Sequence, residues 1–140
     1  MIILASDHRG YELKEEIKNF FITQDIPILD VGTFSEELCD YPDIVKKANT
    51  KVITNPDNYG IYICGTGIGM SIAANRNSKI RAALCNDVKT ASLARRHNNA
   101  NVLCLAGDTI RPKKAFLIIK EFLTTSFEGG RYLDRINKIS

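Results

Sequence analysis

The sequence lacks the patterns that build metal sites and disulfide frameworks. Its four cysteines, at 39, 64, 85 and 104, form no C-x-x-C pair, and there are only two histidines. Such scattered ligands argue against zinc and against a stapled scaffold. No apolar run approaches the ~18 residues that a membrane span needs. The opening Met1-Ile2-Ile3-Leu4-Ala5 has no basic leader and gives way at once to Ser6-Asp7-His8, unlike a secretory signal. We therefore expect reduced thiols, a cytoplasmic location and no membrane partner. Charge of one sign is also scarce. Nineteen Lys and Arg against 16 Asp and Glu leave a formal net charge of +3. That balance suits a small anionic substrate but is too weak to argue for nucleic acid. Nine glycines and four prolines in 140 residues exclude collagen-like and low-complexity structure. With 44% hydrophobic residues, the chain can bury a core, and its length predicts one domain over 1–140.

What the chain does have is alternation. Ile2-Ile3-Leu4-Ala5 reads as a buried strand. Leu13, Ile17, Phe20 and Phe21 follow at helical spacing. Ile26 to Val31 is a second strand, and Pro27 near its start predicts an edge position. Pro42 suits the first turn of a helix carrying Ile44, Val45, Ala48 and Val52. Further strands are expected at 60–64, 80–85 and 102–105. Further helices are expected over 70–75, from Asp87 to about 97, from Pro112 to about 125, and briefly after Gly129-Gly130. Five β-α units plus a C-terminal helix, with nearly continuous apolar strands, predict a three-layer α/β/α sandwich around a five-stranded parallel Rossmann-like sheet. The order of the strands cannot be read.

Ligands of open parallel sheets bind beyond the carboxyl ends of the strands. The residues there are Ser6-Asp7-His8-Arg9-Gly10, Gly32-Thr33, Asp40-Tyr41, Cys64 to Gly69, Asn86-Asp87 and Ala106-Gly107-Asp108. In Cys64-Gly65-Thr66-Gly67-Ile68-Gly69, alternating glycines at a strand-to-helix turn let backbone N–H groups approach and hold negative charge. A thiol beside that nest could remove a proton next to a carbonyl while the nest held the oxyanion. The bland alternative is a buried strand cysteine and a tight turn. The dinucleotide fingerprint G-x-G-x-x-G is not matched, because position 70 is Met, and no Gly-Lys-Ser/Thr follows as in a Walker loop. Asp7 could equally organise the start of the next helix. His97, in Arg95-Arg96-His97-Asn98-Asn99, could simply favour a helix C-terminus. Arg131 and Arg135 share a helix face and could clamp a phosphate or stand in solvent.

Several segments are collinear with one family: Ser6 to Lys14, Asp40-Tyr41-Pro42, Ile63 to Arg76, Ile80-Arg81-Ala82, Arg96-His97-Asn98, Asn101-Val102-Leu103 and Phe127 to Arg131. In them the chain resembles type B ribose-5-phosphate isomerases, relatives of galactose- and allose-6-phosphate isomerases. The resemblance implies interconversion of D-ribose 5-phosphate and D-ribulose 5-phosphate through a cis-enediolate, in the non-oxidative pentose phosphate pathway, without metal or organic cofactor. It implies that Asp7 and His97 open the sugar ring and that Cys64 moves the proton. Thr66 and the backbone of Gly65, Gly67, Ile68 and Gly69 would stabilise the enediolate. His8, Arg131 and Arg135 would hold phosphate, and Tyr41 and Asn98 would line the pocket. It further implies a homodimer or tetramer in which His97 and Asn98 reach a neighbouring subunit's site. One departure stands out. Thr109 occupies the place where a further phosphate-binding Arg is expected, and Arg9 or Arg111 could substitute. Another phosphosugar, such as allose or galactose 6-phosphate, or a non-catalytic nucleotide- or sugar-phosphate-binding module, are the alternative readings.

Overall fold

The computed structural model describes residues 1–139. Five strands alternate with helices: β1 (Ile2–Ser6), α1 (Tyr11–Thr23), β2 (Ile28–Asp30), α2 (Tyr41–Val52), β3 (Tyr59–Cys64), α3 (Ile68–Ala74), β4 (Ala82–Leu84), α4 (Val88–Asn98), β5 (Val102–Ala106), α5 (Pro112–Thr124) and α6 (Arg131–Ile136). The sheet is wholly parallel, in the order β2-β1-β3-β5-β4. Every expected element is present, and the differences lie at the ends. The second strand is three residues rather than six. It sits at an edge, as Pro27 predicts, with Leu29 exposed between two half-buried neighbours. The fourth strand is also shorter than its apolar run, and Cys85 lies one residue beyond it, still buried. The third helix starts two residues early, because Gly67 turns the chain directly into it.

Burial explains the strand composition. β1, β3 and β5 are covered on both faces, so their residues are apolar at nearly every position. One core layer joins Leu4, Ile61, Ile63, Leu103 and Leu105 to Leu13 and Ile17 of α1, Ala91 and Ala94 of α4, and Ile118 and Phe122 of α5. The opposite layer joins Ile3, Ala5, Tyr62 and Cys104 to Ile44, Val45 and Ala48 of α2 and to Met70 and Ala74 of α3. Alternate residues of one strand thus feed different layers, as the two-residue strand period requires. Asp87 opens α4 by accepting the Thr90 N–H at 2.7 Å, the side-chain cap its position suggests.

A buried ion pair ties β2 to α1. Lys14 is fully buried, and its Nζ lies 2.6 Å from Asp30, with Lys18 at 3.2 Å from the same oxygen. Burial alone would raise the Asp30 carboxyl. Lys14, the Gly32 N–H and Lys18 outweigh it and hold that carboxyl below the usual carboxylate value. The pair anchors the point where β2 hands over to the loop that leads to α2.

Candidate active site

β1 and β3 are adjacent, and the chain leaves β1 toward β2 on one side before returning to place β3 on the other. Their carboxyl ends therefore flank a crevice at the topological switch point. Cys64 closes β3, nearly buried, and the Gly67 N–H donates to its Sγ at 3.2 Å. Gly67 has φ +78°, and a Cβ there would come within 2.5 Å of Leu84 Cδ1 and 3.1 Å of the Leu105 carbonyl carbon. Both the backbone conformation and the space demand glycine. Thr66 folds its Oγ1 back to accept the Ile68 N–H at 3.2 Å. The Tyr41 ring lies over Gly69, 2.7 Å from where a Cβ would stand.

Asp7, one residue past β1, accepts the N–H groups of Arg9 and Gly10 on Oδ1, at 2.9 and 3.0 Å. It organises the turn into α1, and it also lines the same cavity. That cavity, of about 350 Å³, is bounded by Asp7, Arg9, Tyr41, Cys64, Gly65, Thr66, Ile68, Gly69 and Ile72. Its volume is at the lower end for a small-molecule pocket. His8 stands beside it with Nδ1 against the backbone of Cys39, 3.2 Å from its oxygen and 3.3 Å from its nitrogen. A ligand would therefore meet His8 at Nε2.

The remaining expected residues are elsewhere. α4 runs back along the sheet, so His97 and Asn98 in its last turn precede β5 and lie at the amino edge of the strands. Cys64 pairs with Ala106 at the carboxyl edge, four residues from Val102. The two edges are separated by roughly 13 Å along the strand. At the amino edge His97 stacks on Tyr132, with centroids 4.2 Å apart and planes 10° from parallel. Its Nε2 is 3.4 Å from Glu128, whose other oxygen binds Arg96 at 2.8 Å. The hydrogen bond from Arg96 is the main reason the Glu128 carboxyl is held below its usual value. Arg131 and Arg135 both lie against the Tyr132 ring. Within one chain the candidate residues thus fall into two groups. Asp7, Tyr41, Cys64, Thr66 and the glycine loop converge, with His8 beside them. His97, Arg131 and Arg135 form a second, cationic cluster that a single chain keeps away, and Asn98 sits with them at that edge.

Asp108 is a residue that sequence reasoning left without a role. It forms an ion pair with Arg9, 99 positions away. The strand-end rule places both at one edge, but no spacing in the sequence announces their contact. Thr109 sits with Arg9, Asp108, Arg111, Glu12 and Glu16 around a second cavity alongside α1. Among the other thiols, Cys85 is pushed up to about 12 by burial and Cys104 is pushed well above its ordinary value for the same reason. Neither is suited to proton transfer near neutrality. Among the described residues, no three His, Cys, Asp or Glu side chains gather as a metal site would require. Among the same residues, no helix is long and apolar enough to cross a membrane.

Residues 2–139 match the family described as Ribose/Galactose Isomerase. The chain belongs to that family. Ribose/galactose isomerases that it is similar to include ribose-5-phosphate isomerase B of Escherichia coli, 37% identical over 139 residues, covering 99% of this chain and 93% of that one. Among solved structures, a ribose 5-phosphate isomerase of Thermotoga maritima superposes with a TM-score of 0.96 at 52% identity, over 99% of this chain and 95% of the other. Ribose-5-phosphate isomerase B of Mycoplasma genitalium, solved with bound ribulose-5-phosphate, superposes at 0.93 with 43% identity, over 99% and 92%. Cys64 lies at the carboxyl edge of the sheet, the edge at which open parallel sheets bind their ligands.

Proposed function

We propose that this protein interconverts D-ribose 5-phosphate and D-ribulose 5-phosphate by proton transfer through an enediolate. The observation that carries this reading is the thiol of Cys64 facing a loop of backbone N–H groups in a cavity of sugar size. In the open-chain aldose, the Cys64 thiolate takes the proton from C2. The C2–H electron pair forms the C1=C2 bond, and the C1 carbonyl oxygen becomes an oxyanion beside the amides of Gly65 to Gly69. Donors fixed at that spot favour the charge without reorganising. The thiol then returns the proton to C1 while the O2 proton passes to O1, so that O2 becomes the ketose carbonyl and O1 the C1 hydroxyl. Asp7, with one carboxylate oxygen engaged by backbone and the other free to face the cavity, suits proton transfer during ring opening. The chemistry as drawn uses a base and backbone donors alone, so activity is expected to survive exhaustive chelation. The setting proposed is the cytoplasm.

Ring opening by Asp7 together with His97 needs a second copy of the chain. The division of the functional residues between two sheet edges supports a homodimer in which each carboxyl-edge crevice receives the other subunit's cationic cluster. Isologous pairing would build two such composite sites at once. Exposed Ile68 and Ile72 beside the crevice give that contact apolar surface.

The test is incubation of D-ribose 5-phosphate with the protein in deuterated water. Formation of D-ribulose 5-phosphate carrying deuterium at C1 is expected. Absence of both conversion and exchange, in folded protein, would defeat the reading. Faster turnover of allose or galactose 6-phosphate would reassign the substrate while leaving the chemistry.

A further inference from the structure

We infer that Arg9 is a phosphate contact supplied, alongside His8, by the same subunit as Cys64. The inference rests on the sugar-phosphate reading above and deepens it. A sugar phosphate brings a dianion into the crevice, yet the side chains that line it include Asp7 and the thiol. Arg9 is the sole cationic residue among those bounding this cavity.

Two contacts place its guanidinium, and a third fixes its backbone. The backbone N–H of Arg9 is bound by Asp7. The plane of the side chain lies against Gly65, where a Cβ would stand 2.6 Å from Nε and 2.7 Å from Nη2. Asp108 pairs with Nη2, and the Asp108 N–H in turn binds the Gly65 carbonyl at 3.0 Å. Asp108 thus acts as a positioning residue for the guanidinium. Only one of the five N–H donors is taken by this ion pair, and the side chain remains 55% exposed. A planar fork with donors to spare, bordering the same cavity as the Cys64 thiol, matches what phosphate recognition requires.

Arg111 is the competitor, and its surroundings speak against it. It lines the neighbouring cavity with Glu12, Glu16 and Asp108, which Arg9 also borders, but unlike Arg9 it does not border the crevice of Cys64.

Initial rates on D-ribose 5-phosphate and inhibition by inorganic phosphate test the inference in wild type, Arg9→Ala, Arg9→Lys and Arg111→Ala. A lost charge-assisted contact should raise both the KM and the phosphate inhibition constant of Arg9→Ala by roughly 10- to 100-fold. Arg9→Lys should fall between, because it keeps the charge without the fork. Arg111→Ala should stay within about twofold of wild type on the same scale. Arg9→Ala binding phosphate as wild type does, or Arg111→Ala carrying the loss, would overturn the inference. If Arg9→Ala does not fold, Arg9→Lys decides the question by the same two constants. Phosphate-induced thermal stabilisation reads the contact directly. A wild type that turns over no ribose 5-phosphate would defeat the reaction while leaving the Arg9 comparison intact.

Discussion

Cys64 owes its suitability to its neighbours. It sits at the end of a buried strand, receives a backbone N–H from Gly67, and borders a cavity lined by Asp7 and Thr66. A serine there would be a far weaker base with the same contacts. Cys64→Ser should lower kcat by roughly 10²- to 10⁴-fold, the scale of a lost general base. Its KM should change little, because the phosphate contacts lie on other residues. Steady-state kinetics on D-ribose 5-phosphate would separate the two effects. The other thiols provide internal controls. Cys85 and Cys104 are buried and pushed up by that burial, so iodoacetamide should spare them in the folded protein. Mass spectrometry should find inactivation tracking label on Cys64, and substrate should slow it. Activity that survives complete labelling of Cys64 would remove the thiol from the mechanism.

At the scale of elements, the site depends on turns that follow strands. The turn from β3 to α3 passes through Gly67 at φ +78° against Leu84 and Leu105. Gly67→Ala adds a Cβ where neither the conformation nor the packing accepts one, and the backbone term alone is about 1–2 kcal/mol. Urea unfolding should show a loss of at least that size. Activity should fall further than stability explains, because the N–H that faces Cys64 moves with the turn. The junction of β1, β2 and α1 rests on Lys14 and Asp30. Removing one partner of a buried pair typically costs about 3 kcal/mol, so Asp30→Asn should be destabilised on that scale at neutral pH. The sign with acid follows from the lowered Asp30 carboxyl. Its contribution is complete above the unfolded value near 4 and is lost as pH falls through the lower folded value. Unfolding curves of wild type and Asp30→Asn should therefore converge as pH drops below about 4. A gap independent of pH would mean that the pair's charge is not what holds this junction.

For the whole molecule, the decisive feature is the distance between the two clusters. A shared site makes a testable demand on mixtures. Cys64→Ser and His97→Asn should each be inactive alone. A hybrid dimer would contain one site with neither change and one with both. Random exchange of subunits should therefore restore about a quarter of wild-type activity. No recovery, once exchange has been demonstrated by mass, would confine catalysis to residues of one chain. His97 would then be left to its observed partners, Tyr132 and Glu128.

The sequence alone determined the alternation of elements, because strands buried on both faces must be apolar throughout while their covering helices show a 3.6-residue pattern. It pointed to an edge position for β2, since Pro27, just before the strand, has no N–H to offer a ladder. It also determined the local chemistry of Cys64 to Gly69, where thiol, hydroxyl and glycines are contiguous. It did not contain the order β2-β1-β3-β5-β4, which depends on which strands bury the most surface against each other. Nor did it show that Asp108 meets Arg9 or that Lys14 meets Asp30. Such contacts between residues far apart in sequence form only when strand ends and helices are brought together by packing. The tertiary structure alone decided how far His97, Asn98, Arg131 and Arg135 stand from Cys64 within one chain. A helix that returns antiparallel to its strand carries its last turn to the opposite edge of the sheet, whatever residues it bears.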